Sequence, residues 1–202
     1  MKETGIIMSG NHPAKIQADT KTVTRRTYGL ETINKFPWAW ELAPTGYDAE
    51  KGAWLFWQKH TGEGVYIKCP YGHVGDRLWV RETHFIGGIK PNEWAWYKAG
   101  FDGDAEAVVW RPSIHMPRWA SRIDLEITGL RAERVQKITE EDAKAEGCIS
   151  DAELTSDGKD YSGLYAADRF YLLWESLNTK RGYSWEKNNW VWPISFKVVS
   201  SG

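Results

Sequence analysis

Only two of the 202 residues are cysteine, Cys69 and Cys148. That excludes a fold held by a disulfide framework and fits a reducing compartment. A chain of this length buries a core without such staples. No run approaches the roughly eighteen apolar residues that read as a membrane span, and the opening segment has no apolar stretch of signal-peptide length. The expected location is the cytoplasm, with no membrane partner. A strong charge of one sign is missing too: the net charge is −1, so a uniformly basic body gripping duplex nucleic acid is not expected. There is no Walker loop, GxGxxG, GxSxG or HExxH, and no cofactor is implied. Cys69 and His73 stand four apart, but no second Cys/His pair with matching spacing completes a zinc site. A Pro–Gly turn carrying a histidine is the plainer reading, and no metal is expected.

What the chain does have is aromatic side chains, with thirteen Trp and nine Tyr. Such rings, with 42 % hydrophobic and 26 % charged residues, argue for a packed core and against disorder. They either fill core and edges or offer a stacking surface for bases. The charge is uneven. From Arg111 to Lys137 six basic residues face three acids, and from Thr139 to Asp160 eight acids face Lys144 and Lys159. A basic face beside an acidic lobe suits a small phosphate-bearing ligand; a solvated mixed-charge surface explains it equally well.

Short apolar runs separated by turn residues predict strands at Ile6–Met8, Ala53–Trp57, Val65–Ile67, Leu78–Glu82 and Trp190–Val199, the last near an edge because of Pro193. Trp94–Lys98 and Ala107–Trp110 read as a strand pair around Gly100–Gly103. Ile123, Leu125 and Ile127 alternate with Arg122, Asp124 and Glu126, predicting a half-buried strand bent near Gly129. Helices are expected at His12–Asp19, with Pro13 in its first turn, and from Thr139, a capping residue, to a stop at Gly147. A third is expected over Tyr165–Leu177, with Phe170, Leu173, Trp174 and Leu177 on one face. The sum is a single α+β or mainly-β domain over residues 1–202. It is a small barrel of about six or seven strands with peripheral helices. Residues 27–64 read as a Trp-rich insertion partly covering a pocket, and residues 148–163 as an acidic loop.

Four stretches carry a resemblance: Lys21-Thr22-Val23-Thr24-Arg25-Arg26, Gly75 to Thr83, Pro112 to Arg122, and Trp185 to Phe196. Together they resemble the ASCH domain proteins of tailed phages and prophages, from about Ile6 to Val199. The resemblance implies a PUA-like β-barrel, shared with modules that recognise RNA and modified bases. Some bacterial ASCH proteins are N4-acetylcytidine amidohydrolases using a Lys, a Thr three residues later and a Glu on a following strand. Those roles fall on Lys21, Thr24 and Glu82. Other members are described as ribonucleases, so the resemblance implies fold more firmly than activity. The present chain is longer than the compact amidohydrolases.

Removing an acyl group from an exocyclic amine needs a nucleophile and a base within hydrogen-bond reach of it. Thr24 would attack, Lys21 would take its proton in a cationic field from Arg25 and Arg26, and Glu82 would orient Lys21 or move a proton to the leaving amine. Ser9 and Gly10 would bring backbone N–H groups to the ligand. Arg118 and Arg122, beside His115 and Trp119, form a candidate site for a phosphate and a stacked base. The plain alternatives are a solvated turn at Lys21 and Thr24, a rim salt bridge from Glu82 to Arg77 or Arg81, and a core position for Trp119. The expected ligand is a nucleoside or single-stranded RNA. A metal-independent ribonuclease using the same pocket, or a non-catalytic phage module binding modified nucleic acid, are the rival functions.

Overall fold

Alternation in Ile123, Leu125 and Ile127 is realised in β9 (Ile123–Leu130). All three side chains are fully buried, while Asp124 and Glu126 face outward as the two-residue pleat requires. The computed structural model describes residues 1–149 and 163–201. β9 pairs antiparallel with β6 (Arg77–Arg81) and with the long β11 (Trp190–Ser201). β6 pairs in parallel with β1 (Glu3–Ile7). β2 (Val23–Arg26) and the short β10 (Glu133–Arg134) complete a six-stranded sheet through β11. The described pairings leave β1, β2 and β10 with one partner each. The class is mixed α+β.

Pro193 does not mark an edge. β11 is flanked by β9 and β10 on one side and β2 on the other. Proline is tolerated because the β9 ladder ends at Ile194↔Leu130 and the β10 ladder begins only at Val191↔Glu133. On that side Pro193 falls in the gap, where no ladder N–H is required, while its pairing with Arg25 lies on the β2 side. The expected bend in β9 is present as a register break: Ser195 faces Gly129 and Phe196 faces Ile127.

The Trp-rich segment departs from expectation. It holds α2 (Glu31–Asn34) and most of a separate sheet of β3 (Trp40–Asp48), β4 (Ala53–Gln58) and β5 (Gly64–Ile67). Its inner face packs on β11, with the Trp54 ring 4.8 Å from Trp192 and Phe56 5.1 Å from Trp190. The segment is part of the core, and only Thr27 and Tyr28 within it border the cavity described below. Rings of this size bury more area as core than as a loose cover.

The strand pair at Trp94–Lys98 and Ala107–Trp110 is also corrected. β8 (Trp94–Tyr97) pairs with β7 (His84–Gly87). Gly87 lies opposite Trp94, and a Cβ on Gly87 would fall 2.3 Å from that indole. A side chain there would displace the ring that packs on Phe85. Ala107 instead ends a 3₁₀ turn whose first N–H groups are served by Asp104, which accepts from Glu106 N. Local side-chain bonding of this kind competes with strand formation.

α1 (His12–Gln17), α3 (Glu140–Ala145) and α4 (Ala166–Asn178) fall where expected. Thr139 caps α3 by accepting from Asp142 N, and Gly147 follows with φ +86°. Both oxygens of Glu140 accept from the first N–H groups of α4, Ala166 and Ala167, at 3.0 Å, a favourable place for negative charge. α3 and α4 share a second core with Val135 and Val191. Most of the expected acidic loop, residues 150–162, lies outside the described residues.

If the insertion is core, Phe56→Ala should destabilise by about 3–5 kcal/mol in urea unfolding; a loss under about 1 kcal/mol would return the segment to the role of a cover.

Candidate functional site

α1 ends where Ala18, Thr20 and Lys21 turn their N–H groups back onto Ala14 and Lys15 carbonyls. The turn drives Lys21 into the gap between β2 and the C-terminus of α3. There it is 2 % exposed. Its ammonium donates to the Glu146 carbonyl at 2.8 Å and to Glu146 Oε2 at 2.7 Å. Lys15 donates to the next carbonyl, Gly147. Carbonyls at a helix end lack intrahelical partners and carry partial negative charge, so two lysines close α3. Gly147 is required at this approach: a Cβ there would meet Lys15 Cδ at 3.0 Å and Lys21 Cβ at 3.4 Å, at positive φ.

Arg25 is buried beside it and bonds three carboxylates, Asp142 at 2.6 Å, Glu133 at 2.8 Å and Glu146 at 3.3 Å. Its role is therefore to hold α3 and β10 against β2, with its guanidinium already committed. The Phe170 ring of α4 lies 5.6 Å from it.

These groups open onto a cavity of about 580 Å³, within the range of small-ligand sites. Lys21, Thr24, Arg25, Arg26 and Ser9 all border it, as does Glu146. The whole predicted apolar face of α4, Phe170, Leu173, Trp174 and Leu177, forms one wall. Thr24 is 4 % exposed, and its hydroxyl makes no hydrogen bond to a described residue. It is free to engage a ligand.

The remaining sequence candidates lie elsewhere. Glu82 does not border the cavity. It is buried under a two-point pairing with Arg122, both N–O distances 3.0 Å. Burial pushes its carboxyl above the ordinary range, and Arg122 pulls it only partly back. Arg122 also donates to the Ala99 carbonyl and lies 4.2 Å from the Tyr97 ring. Arg118 is bound by Glu3 at 2.7 Å and Asp124 at 2.9 Å, and Trp119 is exposed. Neither they nor Gly10 border the cavity. Arg118 and Arg122 are thus paired with different carboxylates, and neither borders the cavity.

Sequence reading missed Glu146 and His12. Glu146 sits 125 positions from Lys21, at the end of the helix that the sequence stops at Gly147. His12 was read only as a helix start. It borders the cavity with Nδ1 closed to solvent and without a partner. Burial, then the charges of Lys21, Arg26 and Lys15, push its pKa down to about 3. The imidazole is accordingly neutral, a hydrogen-bonding group among cations.

No family model matches the sequence, and no curated protein matches it. Among solved structures, a high-resolution crystal structure of an ASCH domain from Lactobacillus crispatus JV V101 is similar at 12 % identity. The match covers 98 % of this chain and 80 % of that one, with a TM-score of 0.43. That likeness assigns no activity. Among the described residues no group of three or more His, Cys, Asp or Glu could hold a metal ion, and no helix is long and apolar enough to cross a membrane.

Glu146→Ala should cost roughly 3–5 kcal/mol in denaturant unfolding, because it leaves the buried Lys21 ammonium without its carboxylate; Glu146→Gln should cost less. His12 gives a pH signature. Above about pH 6.5 the imidazole is neutral in both folded and unfolded chains. Below it only the unfolded chain takes the proton, so stability is lost as pH falls from 6.5 toward 3. Wild type should therefore lose more stability than His12→Gln between about pH 7 and pH 4.5; equal losses would mean that His12 titrates normally.

Proposed function

We propose that the cavity takes in a nucleobase and hydrolyses an acyl group from its exocyclic amine, as in an N4-acylated cytidine, with Lys21, Thr24 and Glu146 as the reacting set. One observation carries the reading. A buried ammonium, its carboxylate partner at 2.7 Å and a threonine hydroxyl with no hydrogen bond to a described residue border one cavity. The resemblance of Lys21–Arg26 to the Lys–x–x–Thr segment of ASCH amidohydrolases supports it, with the carboxylate supplied from the end of α3 in place of Glu82.

The chemistry follows from those positions. Glu146 accepts a proton from Lys21, converting the ion pair into an amine and a neutral acid across one short bond. The Thr24 oxygen forms a bond to the acyl carbon as its proton passes to the Lys21 amine. The resulting ammonium stands beside the oxyanion, where positive charge lowers the barrier. When the C–N bond breaks, the ammonium returns its proton to the departing amine. Water then cleaves the acyl-threonine ester by the same relay, releasing the acid.

Arg25 keeps Glu146 aimed at Lys21. Neutral His12 supplies hydrogen bonding to the base without adding a charge. The apolar wall of α4 gives the ring a dry face.

The test is release of cytidine and acetate from N4-acetylcytidine. Lys21→Ala, Thr24→Ala and Glu146→Gln should each lower turnover about a hundredfold or more, with wild-type circular dichroism, while Glu82→Gln that folds should stay within a few-fold. Unchanged turnover in Lys21→Ala, or shortening of single-stranded RNA without deacylation, would overturn the assignment.

A further inference from the structure

Five cationic side chains border the cavity, Lys21, Arg25, Arg26, Arg81 and Arg181, against one carboxylate, Glu146. The whole chain is close to neutral at −1, so this excess is local. Lys21 and Arg25 are matched by Glu146, Asp142 and Glu133. Arg26, Arg81 and Arg181 have no carboxylate partner among the described residues. They are held by neutral acceptors instead. Arg26 Nη2 donates to the Ile7 carbonyl at 2.7 Å, Arg81 to the Ile114 carbonyl, and Arg181 to Asn178 Oδ1 at 3.3 Å.

These tethers orient the guanidiniums and leave their charge uncompensated. Arg26 Nε is closed to solvent and has no partner. Arg26 and Arg81 approach from adjoining elements, since Ile7, whose carbonyl holds Arg26, is paired with Arg81 in the β1–β6 ladder. Arg181 follows α4 and is near enough to depress the Arg26 guanidinium, adding to the effect of burial. Like charges gathered on a concave wall focus a positive potential, and planar guanidiniums match phosphate oxygens two at a time. Beside them Tyr28 and Tyr71 stand edge to face at 6.4 Å, with Tyr28 61 % exposed, a ring available for stacking.

We infer that Arg26, Arg181 and Arg81 form a phosphate subsite, so that the cavity's ligand is a nucleotide or a phosphodiester-linked residue and not a neutral nucleoside. The phosphate part stands on the uncompensated charge; the nucleotide part rests on the base-binding reading above.

Calorimetric titration of the full chain at low salt with the four nucleoside 5′-monophosphates, the four nucleosides and inorganic phosphate tests it. At least one monophosphate should bind about tenfold or more tighter than its nucleoside, and the gap should shrink with added salt. Arg181→Ala, at an exposed position, and Arg26→Gln should each close the gap by several-fold while nucleoside binding holds. Arg181→Lys should retain part of it. Equal affinity of monophosphate and nucleoside, or no binding of any monophosphate or of phosphate at millimolar concentration, would overturn the subsite. Deacylation of N4-acetylcytidine without phosphate preference would remove this inference alone, and phosphate preference without deacylation would remove the proposed reaction alone.

Discussion

The buried network joining Lys21 and Arg25 to Glu146, Asp142 and Glu133 is the constraint on which the rest depends. Removing five charges from water is costly, and such clusters rarely stabilise a fold by their net energy. Their effect is positional. Arg25 spans β10, the middle of α3 and its last turn, so α3 has one seat on the edge of the sheet. That seat places the Glu146 carboxylate against Lys21 and opens the cavity between β2 and α4. Arrangement of the helices and arrangement of the Lys21, Arg25 and Glu146 side chains are one fact.

α4 shows how one amphipathic stripe serves two ends. Phe170 and Trp174 are buried in the second core, while Leu177 is 46 % exposed, yet all three border the cavity. The helix is seated by its buried rings and offers the rest of the stripe to whatever enters. Glu140 ties its N-terminus to α3, so the wall and the ion network are joined through that helix.

Elements whose pattern is local were legible in the sequence. Alternation at Ile123, Leu125 and Ile127 marked β9, Thr139 and Gly147 bracketed α3, and the 3.6-residue stripe marked α4. Long-range choices were not. Nothing near Trp54 or Phe56 says that they pack on Trp190 and Trp192 and do not line a pocket. Nothing near Trp94 says that its partner strand precedes it. Pro193 misled because the rule about proline applies to ladder positions, and a gap between two ladders escapes it. At the site, Lys21 and Thr24 stood out because they are close in sequence and carry the ASCH resemblance. Glu146 did not, because its meeting with Lys21 is a product of tertiary structure. Glu82 carries the same resemblance, which implies a Glu on a following strand, but nothing near it in sequence says that it is buried against Arg122 and away from the cavity.

β2 is only four residues long and hangs on β11 through the Thr24↔Ile194 and Arg25↔Pro193 pairs. In an extended chain neighbouring side chains take opposite sides. A slip by a single position would exchange the side given to Thr24 and Arg26 with the side given to Val23 and Arg25. Pleat parity therefore decides which side chains each side of β2 carries. Drift that shifts β2 along β11 by an odd number of residues would exchange those sides while every side chain is still encoded.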